Sequence, residues 1–145
     1  MDTNRNTVPM KKLSALITII AGLMALPATN ALAAWTELGS NDAMTVLVDL
    51  DTLKRDGDKA QILSMLDLKK PGVNPTSKKA VSSLIGLNEY ICSNGTYRPI
   101  EFKEFAGAKG SGKVVTDNKS PDAPFEPVVS GSWTAGVFNI ACKAK

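Results

Sequence analysis

Cys92 and Cys142 are the only two thiols in the chain, and the sequence contains no histidine. Three chemistries use such a pair: dithiol redox exchange, metal ligation and a structural disulfide. A redox pair favours C-x-x-C spacing, and a metal site needs further Cys or His ligands; neither pattern is present. The missing histidine also removes the usual general base near neutral pH. No G-x-S-x-G or S-x-x-K nucleophile pattern occurs. The Gly107–Gly112 loop (GAKGSG) lacks the Lys-Ser/Thr of a phosphate-binding loop and reads as a flexible connection. Asp49 and Asp51 are two apart in a strand and could form a carboxylate pair; the competing reading is strand-end solvation and turn chemistry ahead of Asp56-Gly57-Asp58. The same stretch fails the calcium-loop pattern, because Leu53 and Lys54 stand where an oxygen ligand and a glycine are needed. Asn94-Gly95-Thr96 matches a glycosylation sequon but is read as a tight turn. The chain is thus not expected to be an enzyme or to hold a metal or cofactor. One surface feature is left. Lys69, Lys70, Lys78 and Lys79 bracket a single loop with no acidic residue between Lys69 and Lys79. Such a loop is either simply solvated or a contact for a polyanion, such as a glycosaminoglycan, or for an acidic patch on a protein partner.

The chemistry of the cysteines depends on compartment. Lys11-Lys12 precede an uncharged apolar run from Leu13 to Leu26, Pro27 breaks it, and Ala31-Leu32-Ala33 is a small-x-small cleavage site. This predicts a signal peptide over residues 1–33, cut after Ala33, with Met10 as an alternative start. The competing reading is an N-terminal transmembrane anchor, but the apolar run is shorter than the roughly 20 residues a spanning helix needs; after processing no other stretch is long enough to span a membrane. Removing residues 1–33 takes away Arg5, Lys11, Lys12 and Asp2 and lowers the formal net charge from +3 to +1. A near-neutral domain has no field to concentrate on nucleic acid, so none is expected as a partner. In an exported chain Cys92 and Cys142 pair as one disulfide.

The elements that must position these residues are mostly strands. Trp35–Leu38 is a short start, and Thr45–Leu50 is a strand that Asp51–Leu53 can extend. Asp56-Gly57 signals a type I′ hairpin turn, and Lys59–Asp67 returns. Lys69–Lys79 is the basic loop. Ala80–Cys92 follows, with a bulge near Gly86, then Tyr97–Phe105 and Lys113–Thr116; Asp117–Pro127 holds three prolines and reads as irregular. Taking Asn94-Gly95 as a two-residue loop pairs Cys92 with Tyr97, Ile91 with Arg98 and Tyr90 with Pro99. One face then carries Tyr90, Cys92, Tyr97 and Phe105, and the other Leu87, Ile91, Ile100 and Phe102. Two apolar faces exceed what a half-buried sheet needs, so either a bulge shifts the register or something, such as another subunit, covers the second face. In Ser130–Lys145, Trp133, Val137, Ile140, Ala141 and Ala144 have helical spacing. Ser130 or Ser132 can cap the N-terminus, and Lys143 and Lys145 suit the C-terminus. Gly136 and the alternation of Val137–Cys142 keep a strand in play; helix is favoured.

Taken in order, WTELG (Trp35–Gly39), VLVDLDTLKRDGDKAQILSMLDLKKP (Val46–Pro71), EYICSNGTYRPIEFKEF (Glu89–Phe105), GKVV (Gly112–Val115) and FEPVVSGSWTAGVFNIACK (Phe125–Lys143) resemble the surface-adhesin protein E family of Gram-negative bacteria. The resemblance implies an α+β domain over residues 34–145: a single twisted antiparallel sheet of about six strands, with a C-terminal helix packed on one face and tethered by a disulfide that maps onto Cys92 and Cys142. It also implies a homodimer and a role in adhesion, binding host extracellular-matrix and plasma proteins at the cell surface. Two departures stand out: the chain has no lipidation cysteine, and Ile91 stands where the family often has Asp before the first cysteine. A soluble periplasmic protein with an envelope partner, an inhibitor or chaperone-like module, is the alternative. Localisation is thus expected in the periplasm or at the cell surface.

Overall fold

The computed structural model describes residues 34–143, so the predicted signal peptide, its predicted cleavage site, Ala144 and Lys145 lie outside the described residues. The described chain is an antiparallel meander followed by one helix. Its strands are β1 (Trp35–Ser40), β2 (Met44–Asp56), β3 (Lys59–Val73), β4 (Ala80–Ile91), β5 (Thr96–Phe105), β6 (Val114–Lys119) and the two-residue β7 (Glu126–Pro127). The first six are hydrogen-bonded in sequence order, and β7 pairs with β5. Helix α1 spans Trp133–Lys143. This is the expected α+β architecture.

The central strands outrun their sequence-derived bounds because side chains repair the ladder where its register slips. Between β2 and β3 the register shifts between Asp49 and Lys54. There Thr52 Oγ1 donates to Asp49 O (2.7 Å) and accepts from Leu63 N (2.9 Å), so its hydroxyl stands in for backbone partners. The β2–β3 turn is a two-residue loop, with Asp56 opposite Lys59. Gly57 has φ +56° and Asp58 has no positive φ. That is the type II′ pattern, with glycine first, rather than the expected I′.

The β4–β5 hairpin corrects the predicted register. Ile91 faces Thr96, Tyr90 faces Tyr97, Glu89 faces Arg98 and Asn88 faces Pro99. The loop therefore has four residues, because Cys92 and Ser93 are drawn out of the ladder by the neighbouring turn. Cys92 N donates to Asp58 O (2.8 Å) and Ser93 N to Asp58 Oδ1 (2.8 Å); Ser93 Oγ also donates to Asp58 Oδ2. The slip is two residues, so Tyr90 and Tyr97 keep the shared face expected for them. A bulge does exist, but on β5: Leu87 faces Glu101 and Asn88 faces Pro99, which leaves Ile100 unpaired. Past it Phe102 pairs with Gly86 and changes face, joining Tyr90 and Tyr97, while Phe105 pairs with Ser83 on the opposite side.

The core lies between this face and α1. Val48, Ala60, Ile62 and Tyr90 from the sheet meet Val137 and Ala141 from the helix, all fully buried. Tyr90 stacks on Tyr97 at 5.9 Å and meets Phe138 edge-on at 6.0 Å, and Tyr97 meets Trp133 at 6.2 Å. Helix won over strand at the C-terminus because the apolar spacing puts Val137 and Ala141 on this face and Ser132 caps the first turn, its Oγ accepting from Ala135 N (3.3 Å). The glycine-rich loop is not a free connection. Ser83 Oγ donates to Gly107 O (2.7 Å), Gly110 N donates to Ser83 Oγ (2.8 Å), and Lys109 N donates to Asp67 Oδ1 (2.7 Å). The loop is thereby folded over the sheet face away from the helix, with Ser83 buried beneath it.

Candidate functional site

Each chemically interesting side chain can now be placed. Cys92 and Cys142 form a disulfide with Cα atoms 5.4 Å apart, joining the end of β4 to the last turn of α1. Arg55, at the end of β2, donates to the carbonyl of Cys142 and lies 3.8 Å from Cys92 Sγ. A cation at a helix C-terminus meets the carbonyls left without intrahelical partners and the negative end of the helix dipole. The bond and its cap hold the helix down, and among the described residues no free thiol is left.

Asp49 and Asp51 do not form a carboxylate pair. Asp49 is buried in the β2 register shift, and its Oδ1 accepts from the Asp51 backbone N–H (3.1 Å), which is local turn chemistry. Asn94 is likewise a turn residue, accepting from Thr96 Oγ1 (2.8 Å) ahead of Gly95 at φ +62°. Among the described residues no group of His, Cys, Asp and Glu is arranged to hold a metal.

The predicted basic loop is divided by the structure. Lys69 and Lys70 belong to β3, and only residues 74–79 form the connection. Pro71 is accommodated because the β3–β4 register shifts between Asp67 and Gly72, leaving no ladder position that needs its N–H. Asn74 organises the turn: its Oδ1 accepts from Thr76 N (3.0 Å) and Ser77 N (2.8 Å), and Lys78 N donates to Asn74 O (2.9 Å). Lys78 takes φ +59°, a left-handed conformation that is uncommon for a residue with a side chain. All four lysines are exposed and lie at one end of the β3–β4 hairpin. None has an ion-pair partner within 4 Å among the described residues.

Sequence reasoning missed two features. The first is a charge cluster on the face away from the helix. Glu89 is 5% exposed. Its carboxylate accepts from Gln61 Nε2 (2.7 Å) and from Arg98 Nε (3.1 Å) and Nη2 (2.8 Å), with Lys59 Nζ at 4.0 Å. Arg98 also lies over the Phe125 ring at 4.6 Å. Burial alone would raise the Glu89 pKa; the Gln61 and Arg98 hydrogen bonds and the Arg98 and Lys59 charges outweigh it and hold the carboxyl below its ordinary value. Gln61, Glu89 and Arg98 are consecutive cross-strand partners. The signal lay in a register that the two-residue turn concealed.

The second is a groove of about 290 Å³ on the helix side, where α1 stops short of covering the sheet. Leu66, Leu84, Pro99, Phe102 and Trp133 form its apolar walls, and Ser64, Gly86, Asn88 and Glu104 its remaining surface.

The sequence pattern of the surface-adhesin protein E family matches residues 35–143. No curated protein matches the chain. Among solved structures, crystal form II of Haemophilus influenzae protein E superposes with a TM-score of 0.58 at 16% identity, covering 81% of this chain and 94% of that one. A further structure of the same protein gives 0.56 at 16%, covering 81% and 90%. Its selenomethionine form gives 0.55 at 13%, covering 82% and 93%. At this identity the structures speak to the fold, and they agree with the sheet and helix described above. The family match spans all but one of the described residues, and the chain therefore belongs to the surface-adhesin protein E family.

Proposed function

We propose that this protein is an exported, non-catalytic binding domain that acts as an adhesin, contacting host extracellular-matrix or plasma proteins, or a sulfated polyanion, through the lysines at the end of the β3–β4 hairpin. The observation that carries the reading is the exposure of Lys69, Lys70, Lys78 and Lys79 at one end of the β3–β4 hairpin, with no acidic side chain within 4 Å of them among the described residues. Surface charges left unpaired keep their long-range attraction for an oppositely charged partner. Lys78 supports it further. Its left-handed backbone would suit Gly or Asn better, so the lysine is held there at a local cost of about 1 kcal/mol. Family membership supports adhesion as the general role, and the disulfide suits an oxidising compartment.

The test is binding of wild type and Lys78→Glu/Lys79→Glu to immobilised heparin and laminin, with unchanged circular dichroism as the control on folding. Reversing two charges removes about 1 kcal/mol each at low salt, so affinity falls at least tenfold and wild-type binding weakens as salt rises. Equal binding by the variant would refute the lysine contact.

A further inference from the structure

The groove beside Trp133 has the chemistry of a site for one cation on an apolar stem. In the middle of the sheet, where neighbouring helix-facing positions carry Ile62, Leu66, Leu84 and Tyr90, the register sets Ser64 against Gly86 and Gly86 against Phe102. Two small residues side by side leave a dip. Glycine within a strand weakens it and often marks a place where a ligand approaches closely. A Cβ added at Gly86 would lie 3.3 Å from the Glu101 carbonyl oxygen, 3.5 Å from Phe102 Cβ and 3.8 Å from Asn88 Nδ2, so a side chain there would press on the facing strand and take up space in the groove.

The polar groups of the groove are acceptors or can act as such. Asn88 and Ser64 are each 3% exposed. Asn88 Nδ2 donates to Ser64 Oγ (2.8 Å) and, more weakly, to Gly86 O (3.4 Å), which leaves the amide oxygen of Asn88 without a donor. Glu104 accepts from Asn74 Nδ2 (2.6 Å) through Oε2 and has no cation within 4 Å among the described residues. Phe102 and Trp133 add π-rich walls, Leu66, Leu84 and Pro99 add aliphatic surface, and no Lys or Arg lines the groove. Among the described residues, a carboxylate with no cationic partner, an amide oxygen with no donor and two aromatic rings all favour positive charge, while the aliphatic walls favour a hydrocarbon stem.

We propose that this groove receives one Lys or Arg side chain of a protein partner, its methylenes against Leu66, Leu84 and Pro99 and its cationic head between Glu104, the Asn88 amide oxygen and the aromatic rings. The volume of about 290 Å³ admits one such side chain. The lysines of the nearby 74–79 turn repel a polybasic run, so the partner presents a single basic residue among neutral or acidic ones. The site is independent of polyanion binding by those lysines: heparin reads one and a cationic probe reads the other.

The test is an ¹H–¹⁵N NMR titration of the whole protein with N-acetyl-lysine methylamide and N-acetyl-arginine methylamide. N-acetyl-norleucine methylamide serves as the uncharged counterpart. Saturable shifts at Gly86, Asn88, Phe102 and Trp133 are expected at low-millimolar probe. Glu104→Gln, which keeps the shape, should weaken binding at least fivefold, and the norleucine probe should bind at least fivefold more weakly than lysine. Gly86→Ala tests the dip separately and should also reduce binding, while Glu101→Gln, a carboxylate outside the groove, should leave it unchanged. The proposal is overturned if the shifts do not saturate, if Glu104→Gln binds like wild type, or if the norleucine probe matches lysine. Tighter binding of free butylamine than of the blocked lysine would overturn the assignment to a protein side chain.

Discussion

Removing the disulfide by Cys92→Ala/Cys142→Ala should cost this domain a large share of its stability. The bond closes a loop of 50 residues. Chain-entropy reasoning gives about 14 cal/mol/K for a loop of that size, or about 4 kcal/mol at room temperature. The unfolding entropy of about 110 ordered residues is about 230 cal/mol/K. The expected fall in Tm is therefore about 17 °C, read by circular dichroism at fixed protein concentration. The loss should fall unevenly on the structure. Helix α1 has 11 residues, below the length at which isolated helices persist in water. It is held by Val137, Ala141, the disulfide and the Arg55 cap. Without the bond, limited proteolysis should cut within 133–143 before it cuts β2, β3 or β4. A fall of less than about 5 °C, or first cleavage within the sheet, would refute the view that this bond is the staple of the helix.

Glu89→Gln should destabilise the domain by about 1–2 kcal/mol at neutral pH, because the Arg98 guanidinium loses its charged partner in a largely buried setting. The Glu89 carboxyl is held below its ordinary value of 4.5, so its charged form stabilises the fold above that pH and the contribution is lost as pH falls through the lowered folded value. Denaturant melts at stepped pH should show this acid-side loss in wild type and a shallower one in Glu89→Gln. Tyr90→Phe should leave stability unchanged or raise it by about 1 kcal/mol, because the Tyr90 hydroxyl is fully buried with no hydrogen-bond partner among the described residues. A loss of more than about 1 kcal/mol in urea melts would mean that the hydroxyl is bonded in solution. Arg55→Leu should lower Tm by about 4 °C through loss of the helix cap, with the disulfide intact by mass spectrometry.

The parts of this fold that were legible in the sequence are those set by local pattern. The 3.6-residue spacing of Trp133, Val137 and Ala141 points to the helix, and two thiols in a chain with a predicted export signal point to their pairing. The parts that were not legible are tertiary. Nothing local to EYICSNGTYRP says that Asp58, some 35 residues earlier, accepts three hydrogen bonds from Cys92 and Ser93 and so lengthens the turn. That capture hid the Gln61–Glu89–Arg98 row. The sequence suggests a bulge near Gly86 on β4; the bulge lies instead at Ile100 on the facing strand, where it carries Phe102 across the sheet and into the groove. Lys69 and Lys70 were read as loop because Pro71 and Gly72 usually end a strand; a long register shift absorbs both. The glycine-rich loop was read as flexible because its anchors, Ser83 and Asp67, lie on other strands.

A domain that acts as an adhesin must be displayed outside the cell. Protease shaving of intact cells that produce the native chain, followed by immunoblotting and with a periplasmic protein as the integrity control, tests that directly. The account predicts that the protein is digested from intact cells while the periplasmic control survives. Full protection until the outer membrane is permeabilised would contradict it and place the protein inside the envelope, where it cannot act as an adhesin.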